Sequence, residues 1–99
     1  MNKKELAACV ALRLGTSNDV GARAVDAVLD AIVDGVVSEK KVTIAGYGSF
    51  SLRKRAARMG RNPRTGEPIA ISESFSMGFT QSGKLQKLIE ENIGIKLVN

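Results

Sequence analysis

Leu6, Val10 and Leu14 recur at every fourth position near the start of the chain. That spacing puts them on one side of a helix over residues 3–14, with Asn2 as its cap and Gly15 as its stop. Ser17 is placed to cap a second, longer helix over residues 18–38. Its first turn carries Asp19, where a negative charge suits the helix dipole. Along it Val25, Val28, Leu29, Ile32, Val33, Val36 and Val37 cover more than one stripe, while Asp26, Asp30 and Asp34 hold a polar line. A helix apolar around so much of its circumference needs cover on several sides. The short first helix can cover only part of it, and a second copy of the chain is an economical way to cover the rest.

After residue 41 the period drops to two. Val42 and Ile44 alternate with Thr43 and Ala45, Gly46-Tyr47-Gly48 forms a turn, and Phe50 and Leu52 alternate with Ser49, Ser51 and Arg53. One face of this sheet is apolar and packs on the helices. The other carries Ser49, Ser51, Arg53 and, by continuation, Arg55, a suitable platform for phosphate. Ile69 and Ile71 alternate again within residues 67–72, which predicts a long hairpin whose tip projects because it has no apolar side chain to bury. Phe75, Met77 and Phe79 mark a third strand. Ser82 is placed to cap a final helix over 82–92, with Leu85, Leu88, Ile89 and Ile93 on its apolar side and Lys84 and Lys87 off it. The fold class is α+β, in one domain. Residues 1–40 form a helical dimerisation region and 41–81 a sheet bearing a β-ribbon arm at about 53–71. A C-terminal helix spans 82–93, and 94–99 form a tail.

Composition sharpens the need for a partner. Ninety-nine residues with 43% apolar content suit one folded domain. An arm that contributes nothing to the core leaves a small one for a monomer. A single cysteine makes no internal disulfide. Cys9, among Leu6 and Val10, is expected to be a small core residue. With no histidine and no cysteine pair, no zinc site is expected, and no cofactor. No run of 18 apolar residues suggests a membrane span, and MNKKEL lacks the apolar region of a signal peptide, so a cytoplasmic location is expected.

Charge changes the picture most. Residues 53–67, RKRAARMGRNPRTGE, hold Arg53, Lys54, Arg55, Arg58, Arg61 and Arg64 against Glu67 alone, whereas the other nine cations are matched by nine acids. The whole net charge of +5 therefore lies in one segment, the footprint of an element that binds a polyanion. Catalysis is not indicated: the commonest general base is absent, the acids are scattered and no nucleophile has an evident partner. GRNPRTG is no phosphate loop either. Five residues separate Gly60 from Gly66, Glu67 stands where lysine is required, and a strand follows. Arginine offers a planar fork for phosphate and fits narrow grooves, while the absence of aromatics from residues 53–67 disfavours stacking on single strands. These residues favour a basic ribbon lying on a duplex over a solvated loop with no partner. Pro63 has two readings at this level: a turn former after Asn62, or a rigid wedge that enters between base pairs.

Gly46-Tyr47-Gly48-Ser49-Phe50-Ser51-Leu52, then Arg55-Ala56-Ala57-Arg58, then Gly60-Arg61-Asn62-Pro63-Arg64-Thr65-Gly66 closely resemble the bacterial HU and integration host factor family, over Met1 to about Ile93. The resemblance implies an intertwined dimer, a homodimer or a pairing with a related chain, whose two arms reach around double-stranded DNA through the minor groove. It implies that Pro63 partly intercalates and kinks the duplex, that Arg61 and Asn62 enter the groove beside it, and that Arg55 and Arg58 follow the backbone. Arg53, Lys54 and Arg64 would extend that surface. Lys3, Lys84 and Lys87 match the part of the body that receives bent flanking DNA. A nucleoid-associated role follows, with no membrane or small-molecule partner.

The sequence departs from the family pattern before the last helix. Phe75 stands where Lys or Arg is common, Met77 where proline is common and Thr80 where a basic residue is common, and Ser82-Gly83-Lys84 is shifted by one position. A less basic body flank implies weaker capture of flanking DNA. Two alternatives follow from the same residues. One is a site-specific DNA-bending factor of the integration-host type. The other, from a different class, is a basic hairpin that docks on an acidic protein or anionic surface.

Overall fold

A computed structural model describes residues 1–94, and the expected tail beyond Gly94 lies outside the described residues. In chain order the elements are α1 (Lys3–Leu14), α2 (Asn18–Glu39), β1 (Lys41–Ile44), β2 (Gly48–Arg55), β3 (Arg58–Arg61), β4 (Pro68–Ile71), β5 (Ser74–Gln81) and α3 (Gly83–Ile93).

The helix ends follow the capping residues. Asn2 and Glu5 form a reciprocal box: the Glu5 backbone N–H donates to Asn2 Oδ1 at 2.8 Å and the Asn2 N–H to Glu5 Oε1 at 2.9 Å. Ser17 and Ser82 accept from the N–H groups of Val20 and Leu85 at the starts of α2 and α3. α1 ends in a left-handed Gly15, with the Thr16 N–H reaching back to the Ala11 carbonyl at 3.0 Å. α2 ends differently. Lys40 takes φ 70°, the one non-glycine in the left-handed region among the described residues, and its carbonyl accepts from the Leu52 N–H at 2.9 Å. That bond fixes the corner between α2 and the sheet.

α1 and α2 pack closely because small residues face each other. Ala7, Ala11, Gly21 and Val25 are buried there. A Cβ on Gly21 would clash with the Ala7 carbonyl oxygen and come to 2.7 Å of Ala11 Cβ. Beyond that seam little is buried: among the described residues the apolar core is Ala7, Ala11, Val25 and Val36. Cys9 is exposed, not the core residue expected from its apolar neighbours, because it lies on the side of α1 turned away from the seam.

The sheet has order β1-β2-β5, all antiparallel, as expected. Its register pairs Phe50 with Phe79, Leu52 with Met77 and Lys54 with Phe75, so these six side chains share one face. The Phe50 and Phe79 rings lie 4.8 Å apart. The pairing stops at Arg55 with Ser74 and resumes at Arg58 with Ile71, leaving Ala56, Ala57, Ser72 and Glu73 unpaired between two sheets.

The single chain is far from closed. Its accessible surface is 7954 Å², where a compact monomer of this mass exposes about 5,400 Å². The radius of gyration is 19.4 Å, against about 13 Å for a compact chain of this length. Val33 is 49% exposed, Val37 70% and Phe79 47%. On α3, Leu88, Ile89 and Ile93 are likewise exposed. These are the apolar faces of α2, the sheet and α3, all uncovered at once, which is the signature of a fold completed by a second chain.

Candidate nucleic-acid interface

The arm is a narrow two-stranded ribbon. β3 and β4 pair Arg58 with Ile71, Met59 with Ala70, Gly60 with Ile69 and Arg61 with Pro68. Local hydrogen bonds hold its tip. The Asn62 N–H donates to the Glu67 carbonyl at 2.8 Å and the Gly66 N–H to the Asn62 carbonyl at 2.7 Å. Arg61 Nη1 donates to the Gly66 carbonyl at 2.8 Å. Asn62 Oδ1 accepts from the Arg64 N–H at 2.9 Å, closing a turn around Pro63. Pro63 and Arg64 are exposed at the end of the molecule. Arg61 and Asn62 thus build the tip as well as border it. Arg61 commits one N–H and keeps four donors for an anion.

The outward face of the three-stranded sheet continues the basic surface. The register places Lys41, Ser51 and Gly78 in one row, Thr43, Ser49 and Thr80 in the next, Arg53 beside Ser76 and Arg55 beside Ser74. The face therefore carries cations and hydroxyls and no acid. Lys54 does not join it. It lies on the apolar face opposite Phe75, with Nζ 3.4 Å from Glu73. The expectation that Lys54 extends the surface of Arg53 is corrected by strand alternation: adjacent residues point to opposite faces.

The same alternation sorts the three departures. Phe75 and Met77 belong to the apolar face and Thr80 to the polar one, so of the three only Thr80 shares the face of Arg53 and Arg55. Lys41 was not among the expected contacts; its pairing with Ser51, invisible before the register is known, brings it there.

The body residues are dispersed. Lys3 Nζ lies 2.6 Å from Asp26 Oδ1 on α2, tying α1 to the acidic line. The hydrogen bond to Asp26 and its charge raise the Lys3 ammonium above its ordinary pKa. Lys84 and Lys87 sit on α3 beside the β1–β2 turn. The Lys84 stem reaches Gly46, and the Ser82 N–H donates to the Tyr47 carbonyl at 2.9 Å. Among the described residues, no group of three or more His, Cys, Asp or Glu could hold a metal ion, and no helix is long and apolar enough to cross a membrane.

Comparison with known proteins matches these features. The profile of the family described as bacterial DNA-binding protein covers residues 1–90. The SPbeta prophage-derived DNA-binding protein HU 2 of Bacillus subtilis is 43% identical over 90 residues, 91% of this chain and 98% of that protein. The DNA-binding protein HU of Xylella fastidiosa is 39% identical over 94 residues, 95% of this chain and all of that protein. Among solved structures, an Anabaena HU–DNA cocrystal structure superposes with a TM-score of 0.77 at 35% identity, over 90% of this chain and 97% of that one.

Proposed function

The chain belongs to the bacterial DNA-binding protein family, and from that premise we propose that it binds double-stranded DNA as a dimer and bends it, with little sequence readout. Its work is architectural and not enzymatic. The observation that carries the reading is the arm: Arg58, Arg61 and Arg64, half the cations of the segment that holds the whole net charge, lie on an ordered ribbon separate from the body sheet, with Pro63 exposed at its tip.

Arg55, Arg58, Arg61 and Arg64 neutralise phosphates and release their counterions, giving affinity without base recognition. Arg53, with Lys41 beside it, extends that contact onto the outward sheet face. Asn62 and the free donors of Arg61 enter the minor groove beside Pro63. The proline ring then separates a base step and kinks the duplex, as apolar wedges do in minor-groove architectural proteins. Two arms place two kinks. Bending a short site costs about 1–6 kcal/mol by elastic estimates, offset by contacts of the flanking DNA with Lys3, Lys84 and Lys87. Chromosome organisation in the bacterial cytoplasm is the role this activity suits.

A competition assay tests the reading. Labelled linear duplex is displaced by nicked duplex, cruciform DNA, single strands or heparin. Nicked and cruciform DNA should compete best, because their deformation energy is already lowered. Equal displacement by heparin and single strands would point instead to a basic hairpin for acidic surfaces. Strong preference for one sequence in a random pool would point to a site-specific bending factor.

A further inference from the structure

Gly78 is the one buried residue of β5, although its neighbours Met77 and Phe79 are exposed. Its cover is Arg53. The two are diagonal neighbours on the outward face, since Arg53 pairs with Ser76 and Gly78 lies two residues further along the same strand. A Cβ at position 78 would overlap Nε and Cζ of Arg53 and come to 2.5 Å of its Nη2. The guanidinium therefore lies across the bare backbone of Gly78, filling the space that any other side chain would take. Every other residue on the outward face of β5 carries a hydroxyl (Ser74, Ser76 and Thr80). The gap under Arg53 is unique on that strand.

We infer that Gly78 is a positioning residue for duplex binding: it seats the Arg53 guanidinium on the sheet, in line with Lys41 and Ser51, before DNA arrives. The inference rests on the duplex-binding reading above. A long cation normally loses rotamer freedom when it meets a phosphate, and a cation already held in place loses less. The seat needs a planar head lying flat on backbone, which guanidinium provides and a tetrahedral ammonium does not. Adding a methyl at position 78 displaces the end of a flexible side chain rather than backbone, so its effect falls on where Arg53 points and not on the sheet.

The test measures affinity for a mixed-sequence 30-base-pair duplex, with its salt dependence, for wild type, Gly78→Ala, Arg53→Ala and the double variant. Gly78→Ala should weaken binding about three- to tenfold, with a melting temperature close to wild type. In the Arg53→Ala background the same methyl should change affinity less than twofold, because the group it displaces is gone. Arg53→Ala should also lower the salt slope by about 0.9. Arg53→Lys, which keeps Gly78 and the charge, should lose about as much affinity as Gly78→Ala. If Gly78→Ala binds like wild type while Arg53→Ala is weakened, the seat is refuted and the duplex reading stands. If Arg53→Ala is itself unchanged, Arg53 makes no contact and both the seat and that part of the interface fail. Should Gly78→Ala not fold, Arg53→Lys decides: wild-type affinity in that variant overturns the proposal.

Discussion

The exposed apolar faces of α2, β5 and α3 make stability depend on protein concentration. If two chains fold only together, unfolding releases two molecules from one, and dilution favours it by mass action. Unfolding enthalpy near 60 °C is about 0.7 kcal/mol per residue, so two 99-residue chains give about 140 kcal/mol. A hundredfold dilution then lowers the melting temperature by about 7 °C, whereas a monomer of this length melts at a fixed temperature. Phe79→Ala supplies the second half of the test. In a single chain Phe79 is 47% exposed, so truncation should cost no more than about half of the 3–5 kcal/mol of a buried Phe→Ala change. Covered by a partner, it costs the full amount in each chain. Thermal melts followed by circular dichroism at 1 and 100 µM, with sedimentation equilibrium, read both. A melting temperature independent of concentration, a small cost for Phe79→Ala and a folded monomer at micromolar concentration would show that one chain folds alone.

Three further outcomes are expected. Arg61→Ala should lower the slope of log affinity against log salt by about one and loosen the tip by removing its bond to the Gly66 carbonyl; an unchanged slope removes Arg61 from the phosphate contacts. Pro63→Ala should keep much of the affinity but reduce bending, measured by fluorescence transfer between the ends of a short duplex, and undiminished transfer rules out the wedge. Gly21→Ala should destabilise the protein by about 1–3 kcal/mol in a denaturant titration, through overpacking against Ala7 and Ala11; a neutral result would mean that α1 and α2 can separate without loss.

Much of the fold was legible because its signals are local. Asn2, Ser17 and Ser82 cap the helices they precede, and Gly15 ends α1, since a cap depends only on residues within one turn. The apolar alternation of Phe50 and Leu52 placed one sheet face correctly for the same reason. What was not legible depends on pairing across distance. Lys54 sits next to Arg53 in sequence yet belongs to the other face with Glu73, and Lys41 reaches the basic face only through β1–β2 register. Cys9 shares its surroundings in sequence with buried residues but not their side of the helix. Lys40 ends α2 in a conformation that local preference assigns to glycine; the bond from Leu52 to its carbonyl, a tertiary contact, accompanies it. The tip motif signals Pro63, but the bond from Arg61 to the Gly66 carbonyl depends on how the turn folds back on itself.

The break at Ala56, Ala57, Ser72 and Glu73 has a further consequence. From Arg55 with Ser74 to Arg58 with Ile71, each strand advances three steps. The two sheets thus keep one count across the gap, and neither strand has slack against the other. Shifting the count by one would turn every side chain beyond the gap to the opposite face. The joint can swing and twist, because none of its four residues is tied into a ladder, but it cannot slide. An arm mounted this way has an adjustable direction and a fixed phase: wherever it points, Arg61 and Pro68 still arrive side by side at its end.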